Sequence, residues 1–322
     1  MQSRDYRIAA DAKGLTVLTY LRKRIGYSST LLKKVKATGI TLNGAAVTVR
    51  ARLAEGDLLT VSFPSESGGR MVPIPLPLEI LYEDGELLAV FKPSGIPTHP
   101  AKGTGVLTLA NAVCAYLGPD CVFRAANRLD TDTAGIVLIA KTPLAASLVG
   151  EQMRRRKIEK CYLALVSGIP EPRFGTVDAP IEREREDSQR RVVREGGQEA
   201  VTEYRVLSTC GGNAVCEICP KTGRTHQIRV HMAHIGHPLV GDFLYGTETP
   251  SGYRLVCFSL SLRHPTSGKP LEITLPSPMR YVLPPPEAGD GQENPIKRGY
   301  AAPRFSRVSL EGGSFGSESD AK

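Results

Sequence analysis

The chain has 322 residues, 41% of them hydrophobic and 23% charged, which suits a globular protein with a sizeable core and excludes wholesale disorder. No run approaches the roughly 20 apolar residues of a membrane span, and the opening MQSRDYRIAADAKG lacks the apolar centre of a secretion signal. The net charge of +8 points to a polyanionic partner, and residues 1–70 concentrate it with 12 Lys/Arg against 5 Asp/Glu. Seven scattered cysteines, mostly among apolar neighbours, read as buried free thiols of a reducing cytosol, so a cytoplasmic protein is expected.

In chain order, Leu15, Leu18, Leu21 and Ile25 recur at helical spacing. Ser28 or Ser29 caps a second predicted helix, with Leu31, Leu32 and Val35 on one face and Gly39 as its stop. Ile40–Leu42, the turn Asn43-Gly44 and Ala45–Val47 form a hairpin signature, and Leu58–Phe63 reads as a closing strand. Two short helices on a small sheet, with Lys33, Lys34 and Lys36 on the second helix, resemble the S-four-like RNA-binding fold over about residues 13–63. The resemblance implies that these lysines contact RNA.

Ser65-Glu66-Ser67-Gly68-Gly69 marks a linker, and Pro73, Pro75 and Pro77 stiffen the entry to the next segment. We therefore expect a module at 1–63, a linker at 64–77, a larger main domain at 78–283 and a disordered tail at 284–322. Within the third segment, strands are predicted at Leu87–Phe91, Ile136–Ala140, Tyr162–Val166, Val201–Leu207, Val215–Cys219 and Leu255–Leu262. Helices are predicted at about 107–116, 143–156 and 224–235. Several strands follow one another without an intervening helix. The expected class is mixed α+β with a largely antiparallel sheet, beside a small N-terminal α/β module.

The stretch from Arg128 to Lys141 is the most informative. A polar loop bearing Asp130 and Asp132 runs directly into an apolar strand, and a loop on a rigid rim holds a reactive group with little slack. Two readings stand for Asp130: a reactive carboxylate, or a side chain that only satisfies turn amides. A calcium loop is excluded, because Ala134 and Lys141 occupy ligand positions. Cys216, Cys219, His226 and His231 suggest zinc, but the gap of six residues between the pairs is short against roughly 12 in a zinc finger.

The stretch Arg128-Leu129-Asp130-Thr131-Asp132-Thr133-Ala134-Gly135, with the strand ending Ala140-Lys141, closely resembles the signature of the RluA-type pseudouridine synthases. It departs from that signature at Asn127, where the family has histidine, and at Ala134, where it has serine. Three further segments match in family order: Leu88–Gly95 with Lys92-Pro93-Ser94-Gly95, Lys160–Gly168, and Gly223-Arg224-Thr225-His226-Gln227-Ile228-Arg229-Val230-His231. The resemblance spans roughly residues 78–276. It implies the pseudouridine synthase fold and an RNA-modifying isomerase with Asp130 as catalytic carboxylate, as nucleophile or as stabiliser of a glycal-forming step. It also implies Tyr162 beside the base as the proton-transfer group and Arg229 as the ion-pair partner of Asp130. Arg128, Arg224, His226 and Gln227 are expected to contact RNA.

The isomerisation is redox-neutral, so no cofactor and no metal are implied, nor an obligate protein partner or a membrane. The resemblance favours large-subunit ribosomal RNA over transfer RNA. The rival reading is a non-catalytic RNA-binding or ribosome-assembly factor on the same fold.

Overall fold

The computed structural model describes residues 3–63, 71–100, 107–249 and 252–283. The glycine-serine linker and the tail beyond 283 lie outside the described residues. The first segment builds β1 (Ser3–Arg7), α1 (Val17–Thr19) continuing into a π-helical turn at Tyr20–Ile25, α2 (Ser29–Thr38), β2 (Ile40–Leu42), β3 (Ala45–Ala46) and β4 (Leu58–Ser62). The strands pair antiparallel in the order β1-β4-β2-β3. Ser28 caps α2, its hydroxyl accepting from the Leu31 N–H at 3.1 Å. Leu31, Leu32 and Val35 are buried, whereas Lys33, Lys34 and Lys36 point outward. The hairpin turns at Asn43 and Gly44, both at positive φ. The first predicted helix is shorter and less regular than its leucine spacing suggests.

The second segment carries β5 (Glu79–Glu83), β6 (Leu87–Lys92), α3 (Leu109–Leu117), β7 (Ala134–Ala140), α4 (Pro143–Arg154), β8 (Glu159–Val166), β9 (Phe174–Asp178), β10 (Ile181–Arg183) and β11 (Arg191–Val193). It continues with β12 (Val201–Cys210), β13 (Asn213–Pro220), α5 (Gln227–His234), β14 (Leu255–Arg263) and β15 (Pro270–Thr274). Among the described residues, nine strands form one sheet in the order β5-β6-β7-β14-β8-β13-β12-β9, with β15 on β14. Strands β10 and β11 pair with each other as a separate hairpin. Within the large sheet the pairing is antiparallel everywhere except between β7 and β14. The fold is thus the expected α+β class with a mixed, mostly antiparallel sheet. All seven residues of β7 are buried, as its unbroken apolar run requires.

The parallel pair positions the site. Strands that run the same way begin at the same rim, so the loops leading into β7 and β14 meet there. Gly135 permits the close approach: at φ +121°, a Cβ on it would lie 2.3 Å from the Cys257 carbonyl oxygen.

Helix α4 serves two cores. Ala145 and Val149 pack into the main core, while Leu144 and Leu148 join the N-terminal one. The Ser28 N–H donates to the Ser147 hydroxyl at 2.7 Å, and that hydroxyl lies 3.3 Å from the Gly26 carbonyl. Cys161 on β8 and Cys219 on β13 form a disulfide, which corrects the reading of free thiols alone. Their separation of 58 residues conceals that the two strands are neighbours. No helix among the described residues is long and apolar enough to cross a membrane.

Candidate active site

The Asp130 loop is laced to the turn after β6. The Thr98 hydroxyl donates to the Leu129 carbonyl at 2.9 Å, the Gly95 N–H to the Thr131 carbonyl at 3.0 Å and the Ser94 hydroxyl to the Asp132 carbonyl at 2.9 Å. Lys92, fully buried, donates its ammonium to the carbonyls of Pro93, Ile96 and Thr131 at 2.9, 2.7 and 2.9 Å. Burial pushes Lys92 down to about 8, against the opposing pull of Asp132 and Asp130. This lysine ties the two loops together from beneath. Asn127 staples the approach to β7, its amide donating to the Ile136 carbonyl and accepting from the Leu138 N–H, each at 2.9 Å. The asparagine that departs from the family signature thus has a defined structural task.

The Asp130 carboxylate projects from this clamp half-exposed, with His226 Nε2 at 3.9 Å. His226 adopts a left-handed backbone (φ 58°) at the start of α5, and its Nδ1 lies 2.8 Å from the Tyr245 hydroxyl. Burial holds its imidazole below the usual histidine range, opposed by the Asp130 charge. His226 therefore belongs to the immediate environment of the carboxylate.

Tyr162 is buried on β8, in register with Cys257 of β14. Burial, with the Cys257 thiol and the Asp130 charge nearby, keeps its hydroxyl protonated well above the ordinary tyrosine value. A phenol held neutral in this way is a poor base near neutral pH, which narrows the expected proton-transfer role.

Arg229 departs from expectation. Its Nε and one terminal nitrogen each donate to Asp242 at 2.7 Å, with both residues buried. The ion-pair partner is thus Asp242, not Asp130, although the charge of Asp130 is still felt at the guanidinium. Three rings enclose that guanidinium, Tyr253 at 4.4 Å, Tyr245 at 5.1 Å and Phe243 at 5.5 Å. Asp242 Oδ1 also accepts the N–H groups of Leu244 and Tyr245, so the pair fixes the turn that supplies two of those rings. Tyr253 reaches the Asp130 loop itself through the Thr133 hydroxyl at 3.2 Å.

The other predicted RNA contacts divide. Arg128 is exposed beside Asp130. Arg224 is half-buried and donates its Nε to the Glu199 carbonyl at 2.9 Å. Gln227 is buried and fully engaged: its amide nitrogen donates to the Val201 carbonyl and the Thr202 hydroxyl, and its oxygen accepts from Thr222 and from the Arg224 N–H. With donors and acceptor occupied, Gln227 has nothing to offer RNA, and its assignment is corrected to a structural one. The four zinc candidates do not gather, and His231 is spent on Thr202 and the Ala179 carbonyl. Cys161, Glu217 and Cys219 bring their ligand atoms within 4.8 Å of one another, but the two sulfurs are bonded together.

Comparisons with known proteins agree with this geometry. Residues 86–234 match the family model described as RNA pseudouridylate synthase. The uncharacterized RNA pseudouridine synthase YlyB of Bacillus subtilis is 36% identical over 76% of this chain and 84% of its own. The ribosomal large subunit pseudouridine synthase D of Xanthomonas campestris is 36% identical over 78% of this chain and 81% of its own. Among solved structures, human RNA Pseudouridylate Synthase Domain Containing 1 aligns with a TM-score of 0.54 at 28% identity, over 63% of this chain and 84% of that one. The chain belongs to the RNA pseudouridylate synthase family and is an RNA pseudouridine synthase, an isomerase.

Proposed function

We propose that Asp130 is the catalytic carboxylate of this enzyme, and that its substrate is a uridine of large-subunit ribosomal RNA, modified in the cytoplasm. The observation that carries the catalytic assignment is the state of the carboxylate. It is rigidly mounted through its backbone, half-exposed, and accepts no hydrogen bond from the described residues, while the groups that mount it are packed and partnered. A side chain serving only its own turn would accept from the turn's amides, and this one does not. The ribosomal assignment is supported by the activity for which the Xanthomonas relative is named.

The chemistry conserves every atom. The C1′–N1 bond of uridine breaks, the uracil turns, C5 bonds to C1′, and the C5 proton is finally exchanged for one on N1. Asp130 either attacks C1′ as the C1′–N1 bond breaks and is released when C5 bonds to C1′, or takes the 2′ proton to form a glycal and returns it when C5 bonds to C1′. Either role needs an ionised carboxylate close to the sugar. Tyr162 offers a neutral ring and hydroxyl against the base. Arg229 acts through Asp242 and the aromatic turn, shaping the wall opposite the loop. Arg128 meets the RNA at the rim. A uridine must leave its stack to enter this site, which favours a looped or flipped nucleotide. The 1–63 module, with Lys33, Lys34 and Lys36 outward, holds RNA backbone in this reading.

The test is to map pseudouridines in cellular ribosomal RNA with and without the gene, then restore either wild type or Asp130→Asn. One or more large-subunit sites should vanish on deletion and return only with the wild-type copy. Return with Asp130→Asn would remove the catalytic assignment. A change confined to transfer RNA would move the substrate instead.

A further inference from the structure

Five arginines occupy the β10–β11 hairpin and its flanks, and four of them are engaged within it. Arg183 donates to the Glu186 carbonyl at 2.6 Å, Arg185 lies 3.2 Å from Asp187, Arg190 lies 3.7 Å from Glu184 and Arg194 lies 2.5 Å from Glu182. Arg191 differs. Its side chain has no ion pair or hydrogen bond among the described residues, and its Nε is sealed from water without an acceptor. An unsatisfied guanidinium donor in a protein that handles polyanions is a position for an anion to fill.

The backbone of the same residue says where that anion would sit. The Arg191 N–H donates to the Tyr245 hydroxyl at 2.8 Å, the hydroxyl lies 2.8 Å from His226 Nδ1, and His226 Nε2 lies 3.9 Å from Asp130. Because Tyr245 accepts from the Arg191 N–H, its own proton is free for Nδ1, which leaves the Nε2–H toward the carboxylate. Val193 and Tyr245 pack with Ile181, Ala200 and Val230 of α5, so the hairpin is fastened to the helix that carries Arg229. Arg191 therefore arrives at the edge of the site on a fixed element, with its charge acting on His226.

We propose that Arg191 binds a backbone phosphate of the RNA beside the target uridine, with Tyr245 as the positioning residue that sets this contact relative to Asp130. The inference rests on the pseudouridine synthase reading above. To meet two phosphate oxygens with the Nε and terminal-nitrogen fork, the outer torsions of Arg191 must turn outward from this sealed position. The four paired arginines have local countercharges or acceptors and contribute less. Arg191 is the guanidinium of the hairpin with neither a countercharge nor a hydrogen-bond acceptor among the described residues.

The experiment uses full-length protein and in-vitro-transcribed large-subunit ribosomal RNA, with binding measured across a salt series and modification under single turnover. Arg191→Gln should weaken binding about tenfold and flatten the logarithmic salt slope by roughly 0.7–0.9, the share of one phosphate contact. Arg191→Lys should restore the slope but only part of the affinity, since ammonium keeps the charge and loses the fork. Tyr245→Phe should weaken binding while keeping the slope, because the cation remains and only its placement changes. Arg194→Gln, whose guanidinium already faces Glu182, should stay within about twofold of wild type. A wild-type slope in Arg191→Gln, or an equal loss in Arg194→Gln, overturns the proposal. Wild-type protein that binds this RNA but forms no pseudouridine counts against the catalytic or substrate reading, and the salt slopes still decide the case of Arg191.

Discussion

Arg229 closes on Asp242 through two hydrogen bonds of 2.7 Å, with both side chains shut away from solvent. The pair holds the Leu244–Tyr245 turn and, through it, two of the three rings that surround the guanidinium. Removing one partner strands a buried charge, at a cost of about 3–5 kcal/mol. Asp242→Ala should therefore lose that much stability in urea denaturation, and Arg229→Ala a comparable amount. The double variant should lose distinctly less than the sum. Additive losses would mean that the two side chains do not act as a unit.

Asp130 and Asp132 stand two residues apart on one loop, but only Asp130 faces His226. We expect Asp130→Asn to abolish pseudouridine formation, leaving less than a few per cent of turnover, with RNA affinity and melting temperature close to wild type. Asp132→Asn should lower turnover less than about tenfold, since its carbonyl, not its carboxylate, receives the Ser94 hydroxyl. The reverse ranking in a tritium-release or mass-spectrometric assay would mean that the other carboxylate carries the reaction.

Lys92 predicts a pH effect with a definite sign. Its value falls from 10.5 to about 8 in the fold because burial disfavours the ammonium. Between about pH 8 and 10.5 the unfolded chain binds the extra proton, so this group makes stability rise with pH over that window and contributes no slope below it. The stability of wild type relative to Lys92→Met should therefore increase from pH 8 towards pH 10. Lys92→Met should also slow catalysis, since the Thr131 carbonyl loses its ammonium donor. A flat difference curve in denaturant titrations would contradict the shift.

At Gly135, any side chain collides with the backbone of Cys257. Gly135→Ala combines that clash with an unfavourable φ and should cost about 3 kcal/mol or more, parting β7 from β14. Thermal melting and activity should fall together. A well-folded, fully active alanine variant would show that this close approach is not required.

Lys33, Lys34 and Lys36 lie on the outward side of α2. Replacing all three by alanine should weaken RNA binding and flatten its salt dependence while leaving the single-turnover rate at saturating RNA nearly unchanged. Deleting the whole 1–63 segment is a harsher test, because it also bares Leu144 and Leu148 of α4. The triple substitution separates RNA contact from that packing loss. An unaltered salt slope would take RNA binding away from this helix.

Much of the catalytic sheet is legible in the sequence because its strands are long, apolar and bounded by turn residues. Ile136–Ala140, Tyr162–Val166 and Leu255–Leu262 are recovered with their ends extended by a few residues. Strands β5, β9 and β15 are five residues each and mostly exposed, so their apolar pattern is too short to separate them from loop. At the site, Asp130 and Tyr162 stand out by their neighbours in the chain. The partner of Arg229 does not: Asp242 lies 13 residues away, beyond the end of α5, and only the folded turn brings it back. Gln227 misleads for the opposite reason. Its motif is shared with residues that face the site, but its amide turns inward to Val201, Thr202 and Thr222.

The double duty of α4 constrains how such chains can be recombined. One helix gives Ala145 and Val149 to the sheet and Leu144 and Leu148 to the N-terminal segment, while Ser147 receives the Ser28 N–H. The seam between the two parts therefore runs through a helix rather than along the linker. A chimera cut at the linker would carry an N-terminal segment whose matching aliphatic pair stayed behind in the donor. A working exchange must move residues 144, 147 and 148 together with residues 3–63, so the inheritable unit is discontinuous in the chain although it is contiguous in space.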